Sequence, residues 1–165
     1  MTVPDRVFAS NDRFSVRAAS SQLPAAPARG VAVLACMDAR IDVLRVLGLR
    51  AGDAHVVRNA GGRASDDAIR SLILSSLLFQ TREFVVMHHT RCGMQTSGEK
   101  LHLRLRTAYP DTVGDEIDFL PFADLDQSVR DDVRRIERSS YIDADSLVTG
   151  CVYDVDSGRL RQVSG

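Results

Sequence analysis

The sequence predicts an α/β fold: a mostly parallel central β-sheet flanked by helices, with a C-terminal antiparallel strand or hairpin and an N-terminal helical arm. Two observations support this prediction. The uninterrupted apolar runs "VAVLAC" (31–36) and "EFVVMHH" (83–89) are typical of strands covered on both faces of a sheet. Strand-like and helix-like segments also alternate along the chain, which is the pattern of parallel strands joined by right-handed helical crossovers.

An arm and a linker are predicted before the first strand. Residues 1–20 are weakly helical, and the arm has three apolar anchors: Val7, Phe8 and Phe14. The segment "LPAAPARG" (23–30) contains two prolines and cannot continue a helix. We expect one domain over 1–165, with arm and linker at 1–30 and an α/β core at 31–165, because this length can bury a sizeable core.

The middle of the chain continues the alternation. A short helix is expected at 41–49, closed by Gly48, and a strand at 53–59. The segment 65–80 predicts a second helix, with Ser65 as its N-cap. Because this helix is apolar on nearly every side, we expect it to be buried.

The C-terminal part predicts further helices and a hairpin. The segment 93–108 is ambiguous, since "LHLRLR" alternates like a strand while Leu101, Leu105 and Ala108 fit a helical face; we favour the helix. An amphipathic helix is expected at 124–138, with apolar residues every three or four positions: Leu125, Val129, Val133 and Ile136. Finally, "SLVTGCVYDVDSGRLRQV" predicts two strands around a "DSG" turn.

Composition excludes several classes of partner. The formal charge is −1 and the 21 basic residues are scattered, so neither nucleic acid nor membrane is expected as a partner. There is no apolar stretch long enough to span a bilayer, and the polar N-terminus does not read as a signal peptide. Three cysteines without a secretory signal predict free thiols in a reducing compartment, and we expect a cytoplasmic protein.

Two strand ends bring together residues that can bind a metal. Cys36 is the last residue of the first strand, and His89 and Cys92 lie at the end of the third. The carboxyl ends of parallel strands meet at one edge of a sheet, so these side chains can converge. Two thiolates and an imidazole suit zinc, and three protein ligands leave one position open, as in catalytic zinc sites. Since strand side chains alternate, only one of the paired histidines can readily bind the metal. Its proximity to the glycine turn favours His89, and His88 is then expected to be a packed or hydrogen-bonded core histidine.

The segment "CMDARID" adds a second functional pair beside the predicted ligand Cys36. Asp38 and Arg40 can form a charge-assisted pair, in which the guanidinium fixes the carboxylate. That carboxylate could accept a hydrogen bond from zinc-bound water or occupy the fourth zinc position itself. An ordinary structural ion pair is the alternative. Zinc lowers the pKa of bound water to about 7, which makes hydroxide available near neutral pH.

Four short segments together resemble the β-class carbonic anhydrases, in particular the small bacterial and mycobacterial members. They are "CMDAR" (36–40), "RNAGG" (58–62), "HHTRCGM" (88–94) and "YDVDSG" (153–158), in this order and spacing. The resemblance implies one zinc per chain, held by Cys36, and by His89 and Cys92 from the third segment.

The same resemblance implies an activity and an assembly. Zinc-bound hydroxide would hydrate carbon dioxide reversibly to bicarbonate and a proton, with Asp38 and Arg40 as the catalytic dyad. Five residues would line the substrate site: Asn59, Ala60, Gly61, Gly62 and Gly93. A homodimer or homotetramer is implied, in which the N-terminal arm embraces a neighbouring chain. Apart from the resemblance, Arg58 and Arg70 could each orient the loops around the site or contribute to the dimer interface, and the sequence does not separate these roles.

The chain departs from the family pattern at Arg91, where an acidic or small polar residue is usual. A cation there could favour the thiolate form of Cys92 and attract bicarbonate, or it could point to solvent. The chain also has no tryptophan, on which an inhibitory bicarbonate site of some members depends, so that regulation is not expected. Cys151 lies outside these segments and is expected to be a core residue.

Two alternative functions remain open at this stage. The first is hydrolysis of carbon disulfide or carbonyl sulfide on the same zinc scaffold, because these linear molecules resemble carbon dioxide. Nothing in the short segments separates this activity from carbon dioxide hydration. The second is a non-catalytic zinc-binding protein, which the presence of both Asp38 and Arg40 disfavours.

Overall fold

The computed structural model describes residues 2–18, 23–111 and 117–163. Within these residues one five-stranded sheet has the order β2-β1-β3-β4-β5. The first four strands in this order are parallel, and β5 runs antiparallel to β4. The predicted mostly parallel sheet with a C-terminal hairpin is therefore confirmed. The strands are β1 (Val31–Cys36), β2 (Ala54–Asn59), β3 (Glu83–His89), β4 (Leu147–Tyr153) and β5 (Leu160–Val163).

In the described residues, five α-helices flank or precede the sheet. Four of them begin at an N-cap side chain, because Asp42, Ser65, Ser97 and Asp124 each accept a hydrogen bond from the backbone N–H three residues later. The ambiguous segment after β3 is helical, as favoured, whereas the predicted helix at 41–49 is reduced to one turn. The helices are α1 (Val3–Ala18), α2 (Val43–Val46), α3 (Asp66–Phe79), α4 (Gly98–Ala108) and α5 (Leu125–Glu137).

Both faces of the sheet are buried, which explains why its central strands are uninterrupted apolar runs. On one face, Leu34 and Val86 pack with residues of α3 and α5, including Leu72 and Val129. The opposite face carries alternate residues of the same strands: Val33, Ala35 and Met87. Cys36 and Cys92 belong to this second cluster, so an apolar layer lies directly beneath the edge where the predicted ligands meet.

The predicted burial of helix α3 is wrong for much of its surface. One stripe, which includes Ala68 and Leu72, packs on the sheet, but the exposed fractions are 38% for Leu74, 70% for Leu77 and 62% for Leu78. A helix on the outside of a sheet layer contacts that sheet along one face only, so its opposite face needs another cover. In the described chain this apolar face is open.

Helix α1 has the predicted helical form and is exposed. Of the predicted arm at 1–20, residues 1, 19 and 20 lie outside the described residues. At its start, Thr2 and Asp5 exchange backbone-to-side-chain hydrogen bonds, the reciprocal arrangement that favours a helix beginning here. No helix in the described ranges has both the length and the apolar character needed to cross a membrane.

Helix α5 lies close to strand β4 because one strand position has no side chain. A Cβ atom on Gly150 would lie 2.5 Å from Cγ1 of Val129 and 3.1 Å from Cγ2 of Val133. Both valines are part of or packed against the core. A side chain at this strand position would therefore push the helix away from the sheet.

We expect Gly150→Ala to lower the free energy of unfolding by about 1–3 kcal/mol, because the added methyl group overpacks the α5–β4 contact. Thermal unfolding should show a fall in Tm of roughly 2–4 °C for each kcal/mol at this chain length. Gly98→Ala is the matched control, since a Cβ atom there meets only Pro121, at 3.9 Å. Equal Tm values for the two variants would contradict the close approach of helix and strand.

Candidate metal centre

Parallel pairing brings three candidate metal ligands to one edge of the sheet. Cys36 is the last residue of β1, His89 is the last residue of β3, and Cys92 follows in the next turn. One donor atom from each residue lies within 4.8 Å of the other two, and all three residues are buried. The structure therefore brings together the three residues that the sequence analysis selected as ligands.

The geometry of these three side chains fits a tetrahedral metal. The two Sγ atoms are 4.0 Å apart, close to the separation of about 3.8 Å that two zinc–sulfur bonds of about 2.3 Å subtend at the tetrahedral angle. The Nδ1–H of His89 donates to the carbonyl oxygen of Thr90 at 2.9 Å. This bond leaves Nε2 as the lone-pair nitrogen, and Nε2 is buried without a hydrogen-bond partner in the described chain. A metal ion would satisfy this atom.

The surroundings of Cys36 favour its thiolate form. Its pKa is lowered, first by the hydrogen bond with the Cys92 thiol and then by His89 and the backbone N–H groups of Asp38 and Gly61. A thiolate is the form of cysteine that binds a metal. The same hydrogen bond raises the pKa of the Cys92 thiol, so binding of a metal by both sulfurs would release a proton from this cysteine.

Asp38 and Arg40 form the predicted charge-assisted pair. The guanidinium Nε donates to Oδ1 at 2.9 Å and Nη2 donates to Oδ2 at 2.7 Å. The backbone N–H of Arg40 adds a third bond to Oδ1 at 2.9 Å. These bonds hold the pKa of Asp38 well below its usual range. Oδ2 of Asp38 also lies 3.8 Å from Nε2 of His89, so the carboxylate stands at the edge of the metal centre.

A glycine turn presses directly against the end of β1. Gly61 and Gly62 have positive φ angles of 79° and 68°, and a Cβ atom on Gly62 would lie 2.8 Å from the backbone nitrogen of Cys36. Only glycine permits this approach. The side-chain amide of Asn59 shapes the turn, since it donates to the carbonyl oxygen of Arg63 and accepts from the N–H of the same residue.

The predicted lining residues therefore differ in what they do. Gly61 and Gly62 lie against the centre, whereas the amide of Asn59 is committed to the turn itself. Ala60 is the first residue of a 3₁₀ turn that spans Ala60–Gly62. Gly93 follows the ligand Cys92, and a Cβ atom there would meet no atom within 4 Å.

His88 faces away from the centre, as expected for a packed histidine, and is completely buried. Its Nε2–H is shared between the carbonyl oxygen of Gly62 at 3.2 Å and Oδ2 of Asp132 at 3.1 Å. Its Nδ1 is hydrogen-bonded to the Ser128 hydroxyl at 2.8 Å. Asp132 is in turn paired with Arg63 at 2.8 Å. This network ties the glycine turn to β3 and α5, and no spacing in the sequence indicates it.

Arg91 does not direct its charge at the metal centre. Its guanidinium forms an ion pair with Asp156 in the β4–β5 turn, and its side chain is 63% exposed. Its backbone has a positive φ of 54°, and its carbonyl oxygen accepts a hydrogen bond from Nη2 of Arg40 at 3.2 Å. Of the two roles considered for Arg91, the structure supports a side chain that points to solvent.

Cys151 is separate from the three candidate ligands. It is buried in β4, and burial raises the pKa of its thiol to about 11. It packs in the same apolar cluster as Met87, as expected for a core cysteine.

Comparisons with known proteins agree on one family. The sequence profile described as carbonic anhydrase matches residues 31–114. Beta-carbonic anhydrase 1 of Mycobacterium tuberculosis is 39% identical over 99% of both chains. Carbon disulfide hydrolase of Acidithiobacillus thiooxidans is 36% identical over 81% of this chain and 72% of that protein. The crystal structure of carbonic anhydrase from Streptococcus mutans superposes with a TM-score of 0.92, at 41% identity and 99% coverage of each chain.

We expect purified protein to bind about one zinc per chain, because the three donors fit a tetrahedral site. Cys36→Ser, His89→Ala and Cys92→Ser should each lose most of this zinc, measured by elemental analysis after dialysis. Cys151→Ala is the matched control and should keep it, since this cysteine lies outside the donor group. A full zinc content in Cys92→Ser would show that the metal binds elsewhere.

Proposed function

Because the chain belongs to the β-carbonic anhydrase family, we propose that it catalyses the zinc-dependent, reversible hydration of carbon dioxide to bicarbonate and a proton. One observation carries the proposal: a buried Cys–His–Cys group with an arginine-clamped carboxylate beside it. A closed structural site would need a fourth protein ligand, whereas three donors leave one position for water.

Cys36, His89 and Cys92 would hold the zinc. When bound, zinc lowers the pKa of water and so supplies the nucleophile that attacks carbon dioxide near neutral pH. The oxygens of an ionised carboxylate only accept hydrogen bonds, so Asp38 would orient a water molecule by accepting its proton in a hydrogen bond. Arg40 keeps that carboxylate ionised and fixes its direction through two parallel bonds.

The pH dependence of this step does not come from titration of Asp38. Because Arg40 lowers the pKa of Asp38, the carboxylate is ionised throughout the range from pH 6 to 9. The stabilisation from this pair is present above the ordinary pKa of Asp and is lost only as the pH falls through the lowered value. A rise of the rate with alkalinity would therefore report the ionisation of water, or release of the metal by Asp38.

The surroundings suit a small uncharged substrate. The apolar cluster that contains Cys36 and Cys92 also includes Phe122 and the partly buried Met94. Such a surface accepts linear carbon dioxide without a desolvation cost. The three cysteines in the described chain are unpaired, and we place the enzyme in the cytoplasm, where thiols stay reduced.

Carbon disulfide hydrolysis is the second candidate, and the similarity to carbon disulfide hydrolases favours it specifically. The same metal centre and dyad would act on a linear molecule in which sulfur replaces oxygen. Selection between the substrates would depend on access to the centre. Parallel assays with both substrates separate the two functions.

Stopped-flow measurement of carbon dioxide hydration between pH 6.5 and 9 tests the proposal. We expect a rate far above buffer, and a fall of about 100-fold or more in Asp38→Asn or Arg40→Ala with zinc retained, because water orientation is lost. Asp131→Asn, in an exposed ion pair on α5, should keep the rate. A zinc-loaded protein that hydrolyses carbon disulfide but leaves carbon dioxide unchanged would favour the second function.

We further propose that the chain forms a homodimer or homotetramer through its arm. Helix α1 exposes Val3, Val7 and Phe14 on one face, with exposed fractions of 63%, 57% and 66%. Helix α3 exposes a second apolar surface around Leu77 and Leu78. Large exposed apolar patches mark interaction surfaces, and packing of these two surfaces between copies of the chain would cover both.

Val7→Asp combined with Phe14→Asp should shift the protein to smaller species in size-exclusion chromatography with light scattering, since charges replace the apolar face of α1. Ala9→Asp is the matched control, because this position lies on a different side of the same helix. An unchanged mass for the double variant would contradict assembly through the arm.

A further inference from the structure

The segment that carries the dyad extends beyond the end of the sheet ladder. Strand β1 pairs with β2 as far as Cys36 and Asn59, but with β3 only as far as Ala35 and Met87. One more backbone bond follows, from the N–H of Met37 to the carbonyl oxygen of Asn59 at 2.8 Å. Residues 38–40 follow β1 and lack the strand pairing that holds β1 in place.

One side chain of β2 replaces this missing pairing. Nε of Arg58 donates to the carbonyl oxygen of Cys36 at 2.9 Å, and Nη2 donates to the carbonyl oxygen of Asp38 at 2.7 Å. The two acceptors flank Met37. The planar guanidinium therefore fixes the spacing of the two carbonyl groups on either side of one residue.

We propose that Arg58 is a positioning residue that fixes the Cys36 thiolate and the Asp38 carboxylate relative to each other through their backbone. The proposal rests on the proposed function for its effect on rate, and on the donor geometry alone for its effect on metal binding. Its two described bonds go to backbone carbonyls, so Arg58 acts through other residues and is not itself catalytic. This role is the first of the two that the sequence left open.

The other end of the same segment is held by the turn that follows β3. Nη2 of Arg40 donates to the carbonyl oxygen of Arg91, next to the candidate ligand Cys92. The dyad thus lies between two arginine-to-carbonyl contacts, one made by Arg58 of β2 and one made to the turn after β3. If the Arg58 contacts are lost, the Cys36 thiolate and the Asp38 carboxylate are still present. The distance between them, however, is no longer fixed by a shared hydrogen-bond donor.

Positioning requires a planar group with two donors, and this requirement distinguishes positioning from a general effect of positive charge. Lysine would keep the charge of Arg58 but cannot span two carbonyl groups with a rigid planar group. If the residue only attracted bicarbonate, lysine would suffice. Arg58→Lys is therefore the most informative variant, and Arg58→Ala removes both charge and contacts.

The experiment compares Arg58→Lys and Arg58→Ala with Arg134→Lys and Arg134→Ala, full-length controls at a solvent-accessible arginine of α5. Zinc affinity is measured by competition with a chromophoric chelator, and kcat and KM by stopped-flow carbon dioxide hydration. We expect both Arg58 variants to bind zinc about 10-fold more weakly, as for other groups that orient metal ligands. At saturating zinc, kcat should fall about 10-fold with KM nearly unchanged.

Two results would overturn the proposal. Wild-type zinc affinity and kcat in Arg58→Lys would show that charge alone matters. A lowered Tm in Arg58→Ala with normal zinc affinity and kcat would show a contribution to the stability of the edge strand only. Because zinc affinity is read without any substrate, weaker binding in both Arg58 variants would support positioning even if the wild-type protein failed to hydrate carbon dioxide.

Discussion

The candidate metal centre depends on the parallel register between β1 and β3. The paired positions run from Val31 opposite Glu83 to Ala35 opposite Met87, so both strands end at the same edge and their last residues are Cys36 and His89. A slip of one residue would turn the side chains of one strand to the other face of the sheet. His88 would then face the thiolates, and its contacts with Ser128 and Asp132 would be lost. Burial of both sheet faces makes this register costly to change.

The edge itself is held by groups that are not ligands. On one face, His88 is hydrogen-bonded to Asp132 and donates to the carbonyl oxygen of Gly62, and that glycine packs closely against the backbone of Cys36. In the plane of the sheet, Arg58 secures the backbone carbonyl of the same cysteine. A metal ligand that is buried and constrained from two directions loses little conformational entropy when a cation binds. Most of the conformational entropy needed to order these side chains is therefore lost during folding, before a metal binds.

Sequence reasoning predicted what depends on short spacing and failed where contacts are distant. Strand ends and candidate ligands that lie close together could be predicted because a strand, its last residue and the following turn are local features. The exposed face of α3 could not be predicted, because the apolar content of a helix does not show which residues pack on the sheet and which contact solvent or another chain. The approach of Gly62 to Cys36 and the two acceptors of Arg58 depend on how β2 lies beside β1. For Arg91, proximity in the sequence was misleading. Its position beside Cys92 suggested a role for its charge at the centre, but the guanidinium is paired with Asp156 instead.

Two arginines around the candidate metal centre are paired with carboxylates. Arg40 is paired with Asp38 and Arg91 with Asp156, and two thiolates would balance the formal charge of a divalent metal ion. The guanidinium of Arg58 forms a different kind of contact, because it donates to the backbone carbonyl oxygens of Cys36 and Asp38. Under the proposed function, the orientation of the Asp38 carboxylate is the means by which the protein would direct the reaction. Arg40 would set that orientation through the side chain and Arg58 through the backbone.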